Sequence, residues 1–291
     1  MASGMLVACL EPFMDVSASP SALAAFVARH ERLLVLTGAG CSTDSGIPDY
    51  RDADGRWKRT PPIDFGVFMR EEPARSRYWA RSMIGWRRFG RAGPNDAHRA
   101  LARLEAAGRV RLLVTQNVDG LHQAAGSRQV VDLHGRLDEV RCMHCAHRES
   151  RAAFQQRLEA VNPAWVALDA AAAPDGDADL EAADFSRFAV PPCPACGGIL
   201  KPDVVFFGEP VPAPRTAAVL RALDESDAIL VVGSSLMVHS GYRHVRAGAQ
   251  AGLPVAAVNL GRTRADDLLT LKVEQSCAEA LAFMLADRAA A

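Results

Sequence analysis

The sequence predicts an α/β fold: a parallel sheet covered by helices on both faces, interrupted by a small metal-binding module. Three observations carry that prediction. Short runs such as Val110–Thr115 and Ala228–Val232 are apolar throughout rather than alternating, as strands buried on both faces require. Segments of helical periodicity lie between such runs. From Cys142 to Cys196 the strand–helix rhythm stops, and a CxxC pair stands at each end of the gap.

The elements follow in order. Residues 1–30 read as an N-terminal extension and first helix, with Ala, Leu, Phe and Val at helical spacing over Ser21–His30. Arg32–Leu36 is a short β-rich run that leads into Gly38-Ala39-Gly40. Residues 52–90 form a helical or irregular insertion, dense in Arg and aromatic residues over Arg56–Trp86. Pro94-Asn95-Asp96 opens a helix with Ala97, Ala100, Leu101 and Leu104 on one face and Gly108 at its end. Val130–Leu133 and Pro254–Asn259 complete the set of apolar strands with those above. Residues 31–138 and 203–291 would form the sheet domain. Residues 139–202 would form the module, with 52–90 as an insertion belonging to it and Ala167–Ala183 as an Ala/Asp-rich connection.

Composition narrows the function classes. At 291 residues the chain suits one large domain carrying a small one. Lys plus Arg is 33 against 34 Asp plus Glu, a net charge of −1, which gives no reason to expect nucleic-acid or anionic-membrane binding. No apolar run approaches the roughly 18–20 residues of a membrane span. The first twenty residues hold no Lys or Arg, unlike a signal or transit peptide. A cytoplasmic protein with reduced thiols is expected; the oligomeric state is not readable.

Cys142-Met-His-Cys145 and Cys193-Pro-Ala-Cys196 are the most specific local signal, since seven cysteines give roughly 0.2 CxxC pairs by chance in a chain this long. Four thiolates close a tetrahedral Zn²⁺ shell and leave no position for water, so the metal would be structural. Two unrelated redox or buried pairs are the alternative, and His144 and His147 read as solvated side chains beside the knuckle. Gly38-Ala39-Gly40 after a strand suits a phosphate, because glycine lets backbone N–H groups approach the anion. A tight turn with no ligand fits it too, for Thr43 stands where GxGxxG has its third glycine. Gln116, Asn117 and Asp119, then His134, then Gly233-Ser234-Ser235, then Asn259-Leu260-Gly261 each follow an apolar run. The carboxyl ends of strands are where open α/β sheets bind ligands.

Taken together, from about Leu33 to the C-terminal end, these segments resemble the sirtuin (Sir2) family of NAD-dependent protein deacylases. The motifs in family order are GAG…SGIPDYR, TQNVDGLH, LHG, the two CxxC pairs, KPDVVFFGE (Lys201–Glu209) and GSSL. GSSLMVHSGYR, RYWAR and NLGRTRADDL look like the class II, lipoamidase-type branch. The resemblance implies a Rossmann-like parallel-sheet domain with an inserted zinc-ribbon domain. It implies NAD as co-substrate, one structural Zn²⁺, acylated-lysine proteins as partners, and free lysine, nicotinamide and O-acyl-ADP-ribose as products. Under it, Gly38, Ala39, Gly40, Ser45, Asp49, Tyr50 and Arg51 would wrap the diphosphate and nicotinamide end. Gln116, Asn117 and Asp119 would line the nicotinamide ribose. Gly233, Ser234, Ser235, Asn259, Leu260, Gly261 and Cys277 would hold the adenosine side. His134 would be the general base, with Asn117 also catalytic, and Val205, Phe207, Gly208 and Glu209 would form the acyl-lysine channel. Cys41 and Lys201 depart from the usual Ile/Val and Arg. Tyr78-Trp-Ala-Arg81 matches the string that binds acidic acyl groups in one branch, out of its expected register. An enzyme that hydrolyses NAD or transfers ADP-ribose to protein is the alternative.

Overall fold

The computed structural model describes residues 19–58, 62–168 and 183–286. Most of the expected N-terminal extension and of the Ala/Asp-rich connection lies outside them. In chain order, α1 (Pro20–Arg29) leads into β1 (Leu33–Thr37). After the glycine loop come α2 (Phe65–Arg70), α3 (Glu72–Phe89) and α4 (Asp96–Ala106). Then β2 (Val110–Thr115), a single turn α5 (Leu121–Ala124) and β3 (Val130–Asp132) follow. The next segment holds β4 (Gly135–Cys142), β5 (Arg148–Ser150), α6 (Arg151–Val161), α7 (Pro163–Val166) and β6 (Leu200–Val204). The chain ends with α8 (Ala213–Asp224), β7 (Ala228–Val232), α9 (His239–Gln250), β8 (Val255–Val258), β9 (Leu271–Val273) and α10 (Cys277–Leu281).

Six strands form one parallel sheet in the order β3-β2-β1-β7-β8-β9. The chain builds outward from β1 on one side, then crosses back to add β7 on the other. The switch point of this doubly wound sheet therefore lies between β1 and β7, where a crevice opens at their carboxyl ends. Uninterrupted apolar residues serve a sheet buried on both faces. In β1, Leu33 and Val35 pack toward α1, α4 and α10, whereas Leu34 and Leu36 pack toward α8 and α9. Helix α4 starts as its sequence implies: Asn95 accepts from Ala97 N and His98 N, and His98 Nδ1 accepts from Asn95 N.

A second, antiparallel sheet, β5-β4-β6, carries the four cysteines at its end. Its buried cluster joins Cys142, Cys193 and Phe154 to Phe68, Trp79 and Met83 of α2 and α3. The Arg56–Trp86 segment thus holds a continuous 18-residue helix rather than irregular chain. Ser76, Trp79, Ala80, Met83 and Ile84 form a buried stripe at helical spacing that the intervening arginines obscure, with Tyr78 and Ser82 buried beside it.

Candidate functional site

The loops after β1 and β7 meet at the switch point, backbone against backbone. Gly40 N donates to Gly233 O at 2.8 Å and Gly38 N to Val232 O at 3.1 Å. A Cβ on Gly38 would stand 2.8 Å from Ser234 Cβ; one on Gly233, already at φ +62°, would stand 2.2 Å from Cys41 N. Glycine is required here to let two chains and a ligand share the same few ångströms. Thr43 stands where the fingerprint has its third glycine, and the close approach to the glycine loop is made instead by Gly233, just after β7.

A cavity of about 530 Å³ opens in front of these loops, within the usual range for small-molecule sites. Gly38, Ala39 and Gly40 floor it, with Gly233, Ser234 and Ser235 alongside, and Asn259 and Leu260 close one end. Asp49, Tyr50 and Arg51 line it as well. Arg51 donates to Gly55 O at 2.7 Å and lies 3.9 Å over the Trp57 ring, while Asp49 pairs with Lys58. Gln116 and Asn117, at the end of β2, face in. Gln116 Nε2 donates to Ser234 Oγ at 2.6 Å, and Asn117 Nδ2 to Gly38 O and Ser42 Oγ, both at 3.0 Å. These bonds fix both amides and leave Asn117 Oδ1 as the free acceptor.

Ser45, Asp119, Gly261 and Cys277 stand behind the cavity rather than on its wall. Asp119 accepts from Ser42 Oγ at 2.7 Å and from Leu121 N at 2.9 Å, so it braces Asn117 through Ser42. Ser45 accepts from Asn95 Nδ2, tying the glycine loop to α4. The Cys277 sulfur lies 3.0 Å from where a Gly233 Cβ would be, and burial pushes its thiol up to about 12. Gly261, at φ +80°, meets Ala53 closely.

His134 lies between β3 and β4, and its ring is held at both nitrogens. Nδ1 is 2.9 Å from Gln116 O and Nε2 is 2.7 Å from Ser240 Oγ. A carbonyl only accepts, so Nδ1 carries the proton and Nε2 presents a lone pair, to which Ser240 donates. Burial pulls the imidazole below its usual 6.5, with Arg215 adding to the effect and the Gln116 bond opposing it. The neutral, basic form is therefore the resident one at pH 7. Gly135 makes this placement possible: at φ +83°, a Cβ there would lie 1.9 Å from Asp203 O.

Val205, Phe207, Gly208 and Glu209 line the far end of the cavity. Val205 N donates to His134 O at 2.8 Å, which pins this wall to the histidine. Phe207 is 40% exposed at the mouth and edge-on to Trp57 at 5.8 Å. Glu209 is committed to structure. It pairs with fully buried Lys201 and with Arg141, both at 2.9 Å, and accepts from Phe206 N. Of the Tyr78–Arg81 string, Tyr78 reaches the cavity wall, packed on Phe206 at 5.2 Å, and Arg81 does not.

Away from the cavity, Cys142 Sγ lies 3.5 Å from Cys196 Sγ and Cys145 Sγ 3.7 Å from Cys193 Sγ. Zn–S bonds of about 2.3 Å at tetrahedral angles set S···S near 3.8 Å, so four sulfurs within 4.8 Å of one another fit a closed zinc shell. His144 is exposed and His147 sits beside Glu149 at 3.5 Å. Sequence reasoning passed over Ser42 and Ser240. Ser42 lay inside a quoted motif, but its partners are 56 or more residues away. Ser240 too lay inside a quoted segment, GSSLMVHSGYR, but its partner His134 is 106 residues away.

A family model described as the Sir2 family matches residues 38–240. NAD-dependent protein deacetylase 2 of Bradyrhizobium diazoefficiens is 69% identical over 260 residues, 89% of this chain and 95% of that protein. The human mitochondrial NAD-dependent protein lipoamidase sirtuin-4 is 48% identical over 259 residues, 88% and 82% of the two chains. A solved structure of Sir2 with a p53 peptide and NAD⁺ superposes with a TM-score of 0.73 at 28% identity, covering 92% of this chain and 98% of that one.

Proposed function

The chain belongs to the Sir2 family, and from that premise we infer that its cavity performs NAD-dependent deacylation of protein lysine side chains. One observation carries this most directly: the buried, neutral His134 lines the same cavity as the glycine cradle, and its basic Nε2 is held by Ser240, which lines that cavity too. NAD supplies the ADP-ribosyl group that accepts the acyl chain, giving nicotinamide, free lysine and O-acyl-ADP-ribose. The cradle fits such a dinucleotide, since the glycine turns after β1 and β7 pack backbone against backbone and together line one cavity of about 530 Å³ at the switch point.

The roles of the residues follow from their placement. In the turns Gly38–Gly40 and Gly233–Ser235 the glycine N–H groups are spent on backbone carbonyls, so Ala39, Ser234 and Ser235 offer their N–H groups, with a serine hydroxyl, to the diphosphate, and Asn259 and Leu260 face the adenosine ribose. Asp49, Tyr50 and Arg51 cover the nicotinamide end. Gln116 and Asn117 address the nicotinamide ribose, braced from behind by Asp119. His134 Nε2 accepts a proton from a ribose hydroxyl, a transfer worth about 10²–10⁴ in rate. Val205, Phe207 and Gly208 guide the acyl-lysine, and Glu209 holds that wall in place. Residues 31–138 and 203–291 act as the nucleotide domain, and 139–202 with 52–90 as the zinc module that forms the opposite wall. Among the described residues no helix is long and apolar enough to cross a membrane.

Incubation with NAD and an acetylated peptide tests the assignment. Nicotinamide release that depends on the peptide, with deacylated peptide as co-product, is the expected result. Release without peptide, with ADP-ribose on protein or free in solution, would instead establish an ADP-ribosyltransferase or NAD hydrolase.

A further inference from the structure

One buried cluster of donor groups belongs neither to the nucleotide cavity nor to the four-thiolate site. Cys41, His98 and His122 are 1%, 0% and 1% exposed behind the glycine loop. They bring one sulfur or ring nitrogen each within 4.8 Å of the others. Three separate pieces of chain contribute: the turn after β1, the first turn of α4, and α5. Soft thiolate and borderline imidazole donors together are a transition-metal set, not a Ca²⁺ or Mg²⁺ set.

The protonation of His122 adds an independent observation. Thr37 Oγ1 donates to Thr115 Oγ1, so in its 2.9 Å contact with His122 Nε2 the ring N–H is the donor. Nδ1 of His122 is left with a lone pair and has no hydrogen-bond partner although fully buried. Buried acceptors are rarely left unpaired, and such an atom calls for an explanation. His98 accepts from Asn95 N at Nδ1 over 3.3 Å, so Nε2 carries the ring proton and lies 3.5 Å from Ser42 Oγ; ligation through Nε2 takes the other tautomer and gives up the Asn95 bond. The two rings lie 4.8 Å apart between centroids.

We propose that Cys41, His98 and His122 form a second metal site, one thiolate and two neutral imidazoles, for a thiolate- and imidazole-preferring ion of which Zn²⁺ is the type. Binding forms three metal–ligand bonds and releases one proton, that of the Cys41 thiol, to solvent. Bonds of about 2.0–2.3 Å need the donors to close by up to roughly 1 Å. Ser42 Oγ, 3.5 Å from His98 Nε2, offers an oxygen for a fourth position. Because Ser42 also holds Asn117 and Asp119, an ion here pulls on the polar wall of the cavity. Gly40, beside Cys41, lines that cavity.

The test counts metal on the full-length protein with its four-thiolate site loaded. After dialysis against Zn²⁺ and removal of loose ion, elemental analysis should give two Zn per wild-type chain and one for Cys41→Val, whose side chain keeps a small apolar body. His122→Asn should also give one, which secures the reading if the first variant folds poorly. Unaltered circular dichroism and one retained Zn show that each variant is intact. One Zn on the wild type, or two on the wild type and both variants, overturns the proposal.

Discussion

At the scale of single residues, the chemistry turns on which nitrogen of His134 is bare. The Gln116 carbonyl settles that, and Ser240 then donates to the lone pair that would otherwise accept from substrate. Ser240 thus favours the neutral imidazole and keeps it aimed. Removing the hydroxyl removes that preference, and the imidazole's proton affinity rises. Since burial already holds His134 below 6.5, the base form persists into mildly acidic solution, and kcat/KM should decline only as pH falls through that lowered value. In Ser240→Ala the acid limb should move to higher pH and kcat/KM should drop about tenfold at pH 7. A pH–rate series shows both, and an unmoved acid limb would mean that Ser240 merely fills space. None of this was legible in the sequence, because the partners are 106 residues apart. The histidine itself was, from its place after an apolar run with a glycine behind it.

At the scale of elements, five strands of the main sheet and helix α4 were readable because local pattern and final environment agree, whereas the three-residue edge strand β9 (Leu271–Val273), with Lys272 at its centre, was not. A strand buried on both faces has no polar side, and Asn95 both precedes an apolar stripe and caps it. The second sheet was not readable, since its order comes from distant partners: a thiolate quartet and an aromatic cluster shared with α2 and α3. Its dependence on metal is checkable. Stripping the zinc with a chelator should shift the emission of Trp79, which is packed 4.6 Å from Phe154, and abolish turnover until Zn²⁺ is restored. Unchanged emission after verified metal loss would show that the cysteines are not structural ligands. The join between the sheets is equally specific. Gly135→Ala forces a Cβ onto Asp203 O at a left-handed φ, and should destabilise the protein by about 3 kcal/mol and displace His134. Thermal melting measures the first and turnover the second; a variant as stable and active as the parent would refute the strained-turn account.

At the scale of the whole molecule, function follows from topology. Reversal of strand order between β1 and β7 opens one crevice, and the loops after β1, β2, β7 and β8 all end in it. The zinc module is anchored through β4 and β6 on either side of His134 and Val205, so its position sets the far wall of the cavity. Sequence order alone placed the motifs in a list; only the sheet places them around one space. If that convergence is correct, binding and catalysis are separable at a single side chain. His134→Ala should lose deacylation of an acetylated peptide by at least about 100-fold while its Kd for NAD stays within about twofold of the parent. Turnover within a few-fold of the parent, with the same Kd, would contradict the account at its centre.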